Sequence, residues 1–331
     1  MRKGVIPIPN PTLSDVHVDR ALTNISIAYI QDTAKNFIAN RVFPIVPVNN
    51  RSDKYFIFSQ ADFMRNDARL RAPGAETAGG GYRLSTDNYS CDVIGFHADL
   101  DDQTRANADE PLQLERSHTI YVTQQLMLKR EVDWVTHFFT TGLWTGSTTG
   151  TDLVGGVDFV QWDNIVSTPI EDITAQADSI SQKTGYRPNT LVLGPEVYTT
   201  LKNHPDVLDR VKYTQRGIIT EDILAVLFDV ERVLVPRAVK NTAPEESTPA
   251  YSFVYGKNAF LGYSAPAPGL YQPSAGYIFT WQGLFGAGAD GVRIKNFRIE
   301  QNASNRIEGE AAYSQKVVGA DLGVFFSGAI A

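Results

Sequence analysis

The stretch DEPLQLERSHTIYVTQQLMLKREVDWVTHFF, residues 109 to 139, constrains the fold more than any other part of the chain. Tyr121, Leu128, Val132, Val135 and Phe139 recur at intervals of seven, four, three and four, which lines up one apolar stripe on a helix. Asp109 is placed to cap its start, and Pro111 falls in the first turn, where a missing N–H costs nothing. At about 1.5 Å per residue such a helix runs about 45 Å. A helix longer than a small domain is a spine against which other layers must pack.

Before the helix the chain reads as two appendages. Residues 1–50 form an extended arm with one short helix: Pro7, Pro9 and Pro11 impose extension, ALTNISIAYIQ has helical spacing, and NFIANRVFPIVPV returns to extended chain. So apolar an arm needs a surface to lie on, and a neighbouring subunit can supply it. KYFIFS and YSCDVIGFHADL then read as strands, with Tyr89, Cys91 and Val93 alternating. The intervening RNDARLRAPGAETAGGGYRLSTDN holds Gly74, Gly79, Gly80 and Gly81 and almost nothing to make a core, which predicts a long projecting hairpin. In it Arg65, Arg69 and Arg71 alternate with Asp67 and precede Glu76. A solvated loop and a loop pairing with charges on an adjacent subunit both fit that pattern.

After a glycine-rich connection, TGLWTGSTTGTDLVGG, residues 165–285 read as mixed α/β. Thr168-Pro169-Ile170-Glu171 has the form of a capping box, and Gly185 is a C-terminal stop. TLVLG, ERVLVPRAV and YSFVYG read as strands, and PEVYTTLKNH, PDVLDRVKY and EDILAVLF as helices. APEESTPA, 243–250, is polar, proline-rich and expected to be mobile. The tail returns to strand in YIFTWQGLF, GVRIKNFRIE and IEGEAAYSQKVV.

Composition and motifs exclude several functions. With 331 residues, 43% hydrophobic and 20% charged, the chain can bury a large core. A net charge of -7 without any basic run argues against coating nucleic acid. No stretch approaches the ~20 apolar residues of a membrane span, so no membrane is expected as a partner, and MRKGVIPIPNPTLS lacks the apolar core of a secretory signal. Cys91, the only cysteine, excludes an internal disulfide and a thiolate zinc cluster and reads as apolar filler. The five histidines never form H-x-x-x-H or H-E-x-x-H. Asp101, Asp102, Asp109 and Glu110 gather at the head of the spine, where acids favour a helix N-terminus; a divalent cation is the competing reading. GAGADG, 286–291, matches the glycine fingerprint of dinucleotide sites, yet the alternating GVRIKNFRIE after it is no amphipathic helix; a tight hairpin turn is expected instead, set by Asp290 and Gly291. No Walker loop, nucleophile elbow or kinase signature is present. No catalytic, cofactor or metal residues are therefore assigned.

The order of these parts resembles the major capsid proteins of tailed double-stranded DNA bacteriophages, in a scaffold-dependent coat family with the Hong Kong 97-type fold. The resemblance is carried by RAPGAETAGGGYRLSTDNYSCDVIGFHADLDDQTRANAD, LQLERSHTIYVTQQLMLKREVDW, and NTLVLGPEVYTTLKNHPDVLDRVKY with ITEDILAVLFDVERVLV. It implies an α+β fold with an N-terminal arm at 1–50, an extended loop at 51–95, a peripheral domain at 96–164 and 286–331 around the spine helix, and a mixed α/β axial domain at 165–285. It implies a non-enzymatic protein whose pentamers and hexamers close an icosahedral shell around phage DNA. The extended loop would lie over the neighbouring subunit's peripheral domain, which carries Arg65, Asp67, Arg69, Arg71 and Glu76 into an intersubunit contact. Expected partners are further copies of the chain, a separate scaffolding protein, a portal protein and a decoration protein, with double-stranded DNA enclosed without sequence-specific binding. Assembly is expected in the host cytoplasm, with the product in the virion capsid. Either scaffold is a separate protein or the chain is a processed form, and Met1 directly before the arm favours the first. Loop-lysine cross-linking is not expected, because Lys54 stands only at the loop's base. Two alternatives remain: a nanocompartment shell of the same fold holding an enzyme cargo, and a soluble α/β enzyme with a dispersed site.

Overall fold

The computed structural model describes residues 31–107, 113–144, 152–212, 219–282 and 291–331. In chain order the arm's end contributes α1 (Thr33–Asn36), α2 (Ala39–Val42) and β1 (Ile45–Val48). A projecting hairpin follows, β2 (Ser52–Phe58), α3 (Gln60–Phe63) and β3 (Leu84–Ser90), then β4 (Asp92–Asp101), α4 (Asp102–Asn107) and the spine α5 (Leu114–Phe138). Next come β5 (Asp152–Val154), α6 (Pro169–Thr184), β6 (Thr190–Leu193), α7 (Pro195–Asn203), α8 (Pro205–Val211) and α9 (Glu221–Leu227). The remaining strands are β7 (Arg232–Leu234), β8 (Val239–Asn241), β9 (Tyr251–Phe253), β10 (Ala259–Gly262), β11 (Gly276–Trp281), β12 (Val292–Ile299), β13 (Ser304–Val317) and β14 (Gly323–Ser327). The helix expected over ALTNISIAYIQ and the Asp109 cap lie outside the described residues.

Two five-stranded sheets organise the molecule. In the first, β13 is central: β4 pairs antiparallel along one side, and β11 and β12 pair along the other. The spine helix lies across β13 and β4, with Val122 and Leu126 seated on Gly309. A Cβ there would stand 2.6 Å from Leu126 Cδ1 and 2.7 Å from Val122 Cγ1, so the missing side chain lets the helix reach the sheet. The second sheet runs β5-β14-β10-β6-β7. All four residues of β6 and of β10 are buried, because both faces are covered. Leu191, Leu193, Ala259 and Leu261 face the core under α6 to α9, while Val192 and Phe260 join Phe43, Trp134, Phe138 and Trp144 in the other core. That aromatic hub bonds the spine helix, the arm's end and the second sheet into one packed unit.

Several expectations need correction. The spine is 25 residues of helix, but its buried face is Val122, Leu126, Arg130, Trp134 and Phe138, about one position round from the expected stripe. Tyr121 is exposed, and Leu128, Val132 and Val135 are only partly buried. Buried Arg130 and Glu131 interrupt the true stripe and disguise it. Part of NFIANRVFPIVPV is helical, over Ala39–Val42. Thr168 and Gly185 do bound α6, and Gly185 takes the left-handed φ of 75°, but no side-chain cap bond forms at Thr168 and Glu171 pairs with Arg210 instead.

GAGADG apart from Gly291 lies outside the described residues, but the strands on either side of it do not pair as the expected hairpin. Tyr313 pairs with Thr280 of β11 and with Asp92 of β4, so those strands flank β13 on opposite sides. Ile307 likewise pairs with Asn296 of β12 and Ala98 of β4, which puts β12 on β11's side. Both run antiparallel to β13 and hence in the same direction as each other, and the Gly291 carbonyl accepts from Ala312 N at 3.0 Å. Gly291 itself takes φ 65°, and a Cβ there would sit 2.8 Å from Ala312 O.

Candidate assembly surface

The β2–β3 hairpin is anchored at its base and free at its tip. Seven residue pairs, from Ser52 with Ser90 to Phe58 with Leu84, set its register. At the base Tyr89 stacks on Phe279 with centroids 4.5 Å apart, and Tyr55 stacks on the same ring at 5.7 Å. Tyr55 Oη donates to Asp87 Oδ2 at 2.8 Å, and Lys316 Nζ on β13 lies 2.8 Å from the same oxygen. The Lys316 ammonium holds the Asp87 carboxyl below its usual range, while burial and Asp87 push the Tyr55 phenol up. Cys91 sits beneath this stack as the filler expected, its thiol pushed up to about 11 by burial.

Higher on the hairpin, Arg83 clasps Asp62 with its backbone N–H and two guanidinium bonds at 2.9, 2.9 and 3.1 Å, which holds that carboxyl well below the usual range. Gln60 donates to the Lys183 carbonyl at the end of α6. Phe58 gathers Phe63, Tyr82 and Tyr271 at centroid distances of 5.9, 5.9 and 5.4 Å. Phe63, Met64, Tyr82, Leu84 and Tyr271 nonetheless stay exposed, an apolar collar that charge patterning in the loop did not reveal.

Beyond the collar residues 65–83 form no helix and no strand, and every one of them is exposed. Loops longer than about 12–15 residues without regular structure are commonly functional. Arg65, Asp67, Arg69, Arg71 and Glu76 all lie on this tip. None forms an ion pair among the described residues; Arg71 Nε donates to the Ala75 carbonyl within the tip. The five therefore share one solvent-exposed segment of the loop.

The chemical alternatives find no geometry. Asp101 caps the short α4 through Thr104 N at 2.7 Å, and Asp102 is forked by Arg298, so these two acids are already committed; Asp109 and Glu110 lie outside the described residues. No cluster of three or more His, Cys, Asp or Glu that could hold a metal occurs among the described residues, and no helix among them is long and apolar enough to cross a membrane. Ser167 Oγ lies 3.1 Å from His204 Nε2, but His204 Nδ1 accepts from Asp206 N. Its proton thus sits on Nε2, which faces the Asn164 carbonyl at 3.1 Å, and the ring has no free lone pair to activate the serine.

A spine helix across one sheet, a second sheet beside it and a long anchored hairpin make up an α+β fold of the Hong Kong 97 type. The capsid of Cyanophage P-SCSP1u superposes with a TM-score of 0.61 at 11% identity, covering 98% of this chain and 96% of that one. A phage-related protein from Bordetella bronchiseptica RB50 gives 0.67 at 22% identity, over 89% and 92%. The family described as phage major capsid protein E matches residues 155–231. The major capsid protein of Burkholderia phage BcepMu is 26% identical over 327 residues, covering 94% of this chain and 96% of that protein. Over nearly its whole length the chain is thus similar to a phage major capsid protein, and its fold is that of solved phage capsids.

Proposed function

We propose that copies of this chain assemble as pentamers and hexamers into a closed icosahedral shell around phage double-stranded DNA. The observation that carries this reading is the hairpin: a rigidly anchored base holding out a long exposed tip with an apolar collar and unpaired charge. In the monomer these groups are left in water. Laid on a neighbouring subunit, the collar buries apolar area and the charges fix register. Arg65, Asp67, Arg69, Arg71 and Glu76 are the intersubunit contacts of this scheme. Residues 1–50 serve as the arm, 51–95 as the extended loop, 96–164 and 286–331 as the peripheral domain and 165–285 as the axial domain, although β11 and β14 pair across those sequence limits.

Assembly takes place in the host cytoplasm around a separate scaffolding protein, with a portal protein at one vertex and a decoration protein on the finished shell. The net charge of -7 suits a lining that lets DNA slide without gripping its phosphates. A nanocompartment shell is the second reading; the 26% relative over nearly the whole chain favours the capsid. Purified particles filled with a folded enzyme and free of nucleic acid would reverse that preference. Removing residues 62–82 tests the mechanism: shell formation should be lost while the subunit stays folded, and unchanged assembly and particle stability would show the loop's role to be wrong.

A further inference from the structure

The β8–β9 ribbon is a second projection whose features match the loop tip in charge. Val239 to Asn241 pair with Phe253 to Tyr251, and all three β9 residues are exposed, Tyr251 at 73%. A two-stranded ribbon of this kind is marginal alone in water. Its turn is nevertheless organised. Asn241 Oδ1 accepts from Ala243 N at 3.1 Å and from Ala250 N at 2.9 Å, and Ser247 N donates to the Pro244 carbonyl at 3.2 Å. Glu245 and Glu246 occupy the middle of that inner turn, with Glu246 held at φ 67°, an unusual conformation for a side-chain-bearing residue.

Neither glutamate has an ion-pair partner among the described residues. Other adjacent acids do: Asp102 pairs with Arg298, Glu171 with Arg210 and Glu221 with Arg237. The root of the ribbon fixes where it departs. Tyr255 packs on Trp134 and Phe139 of the spine region at 5.5 and 5.3 Å, and the Gln31 amide clamps Val239 through both its N–H and its carbonyl. The ribbon thus leaves from the flank of the spine helix. From Phe58 to Leu70 the extended loop has a reach of up to about 40 Å.

Resting on the shell-assembly reading, we propose that the loop of one copy crosses the neighbour's peripheral domain and that its tip docks on the 242–250 turn of that neighbour, with Glu245 and Glu246 receiving Arg65, Arg69 and Arg71. The collar lies along the way, and the tip ends on a preorganised acidic turn. Charged rims of this sort select register and suppress wrong partners.

Charge reversal tests it on the full chain, co-expressed with its scaffold genes. Changing Arg65, Arg69 and Arg71 to Glu should lower shell yield about tenfold or more, and Glu245→Arg with Glu246→Arg should do the same. Combining both sets should bring the yield back near wild type. A combined variant no better than either set, or glutamate reversal without effect while arginine reversal blocks assembly, would overturn the proposal. Because Cys91 is buried, Arg69→Cys with Glu246→Cys gives a clean second readout: a disulfide between chains in assembled particles and none in unassembled subunits. No cross-link in particles that do form would refute the docking. Wild-type chains that never form shells would instead refute the reading beneath it.

Discussion

Glu131 sits where three parts of the chain meet. Its side chain on the spine helix is 2% exposed, accepts from Ala39 N of the arm's end at 2.6 Å and is hydrogen-bonded by Tyr255 Oη. Burial outweighs those bonds and the nearby Arg130, and pushes the carboxyl from an ordinary 4.5 up to about 7. A raised carboxyl binds more protons folded than unfolded between those two values, so its stabilisation is complete below pH 4.5 and is lost as pH rises through 7. The span corresponds to about 3 kcal/mol. Glu131→Gln keeps an acceptor for Ala39 N and stays neutral. The stability of that variant relative to wild type should therefore rise by about 3 kcal/mol between pH 4.5 and pH 8. Urea unfolding of the two full chains, side by side across that range, measures the difference while other titrations cancel. A difference that is flat with pH, or that falls, would refute the reasoning. Glu131→Ala should cost about 2–5 kcal/mol near pH 4.5, because Ala39 N and Tyr255 Oη lose their acceptor, and that cost should shrink by about 3 kcal/mol toward pH 8.

Two further outcomes follow from packing. Gly309→Val should destabilise the chain by about 1–3 kcal/mol by lifting the spine helix, whereas Gly95→Ala, whose nearest neighbour is a carbonyl 3.9 Å away, should change the melting temperature little. Cys91 should resist a thiol reagent at pH 8 in the native chain and react promptly once unfolded; rapid native labelling would place it wrongly.

What the sequence disclosed follows from how local each signal is. The spine, α6 to α9 and the projecting hairpin announced themselves because helical periodicity and a glycine-rich polar run are written in consecutive residues. The face of the spine was misjudged because Arg130 and Glu131 lie inward, each satisfied by residues far away in sequence: Asn40 for one, Ala39 and Tyr255 for the other. Strand β10 passed unseen because AFLG is short and buried on both faces, so it carries no alternation. Collinear β11 and β12 mimicked a hairpin, since two strand-like runs flank a glycine-rich stretch and only the pairing with β13 shows that they run the same way. That the five loop residues share one exposed tip was legible because they are near neighbours in the chain. Tyr271 of the collar was not, because it arrives from about two hundred residues away.

The central claim is that the chain exists to build a shell. Electron microscopy of particles from cells expressing it with its neighbouring scaffold genes measures this directly. Closed icosahedral particles with five- and six-fold clusters of this subunit are the predicted result; a stable, folded monomer that never assembles would contradict it.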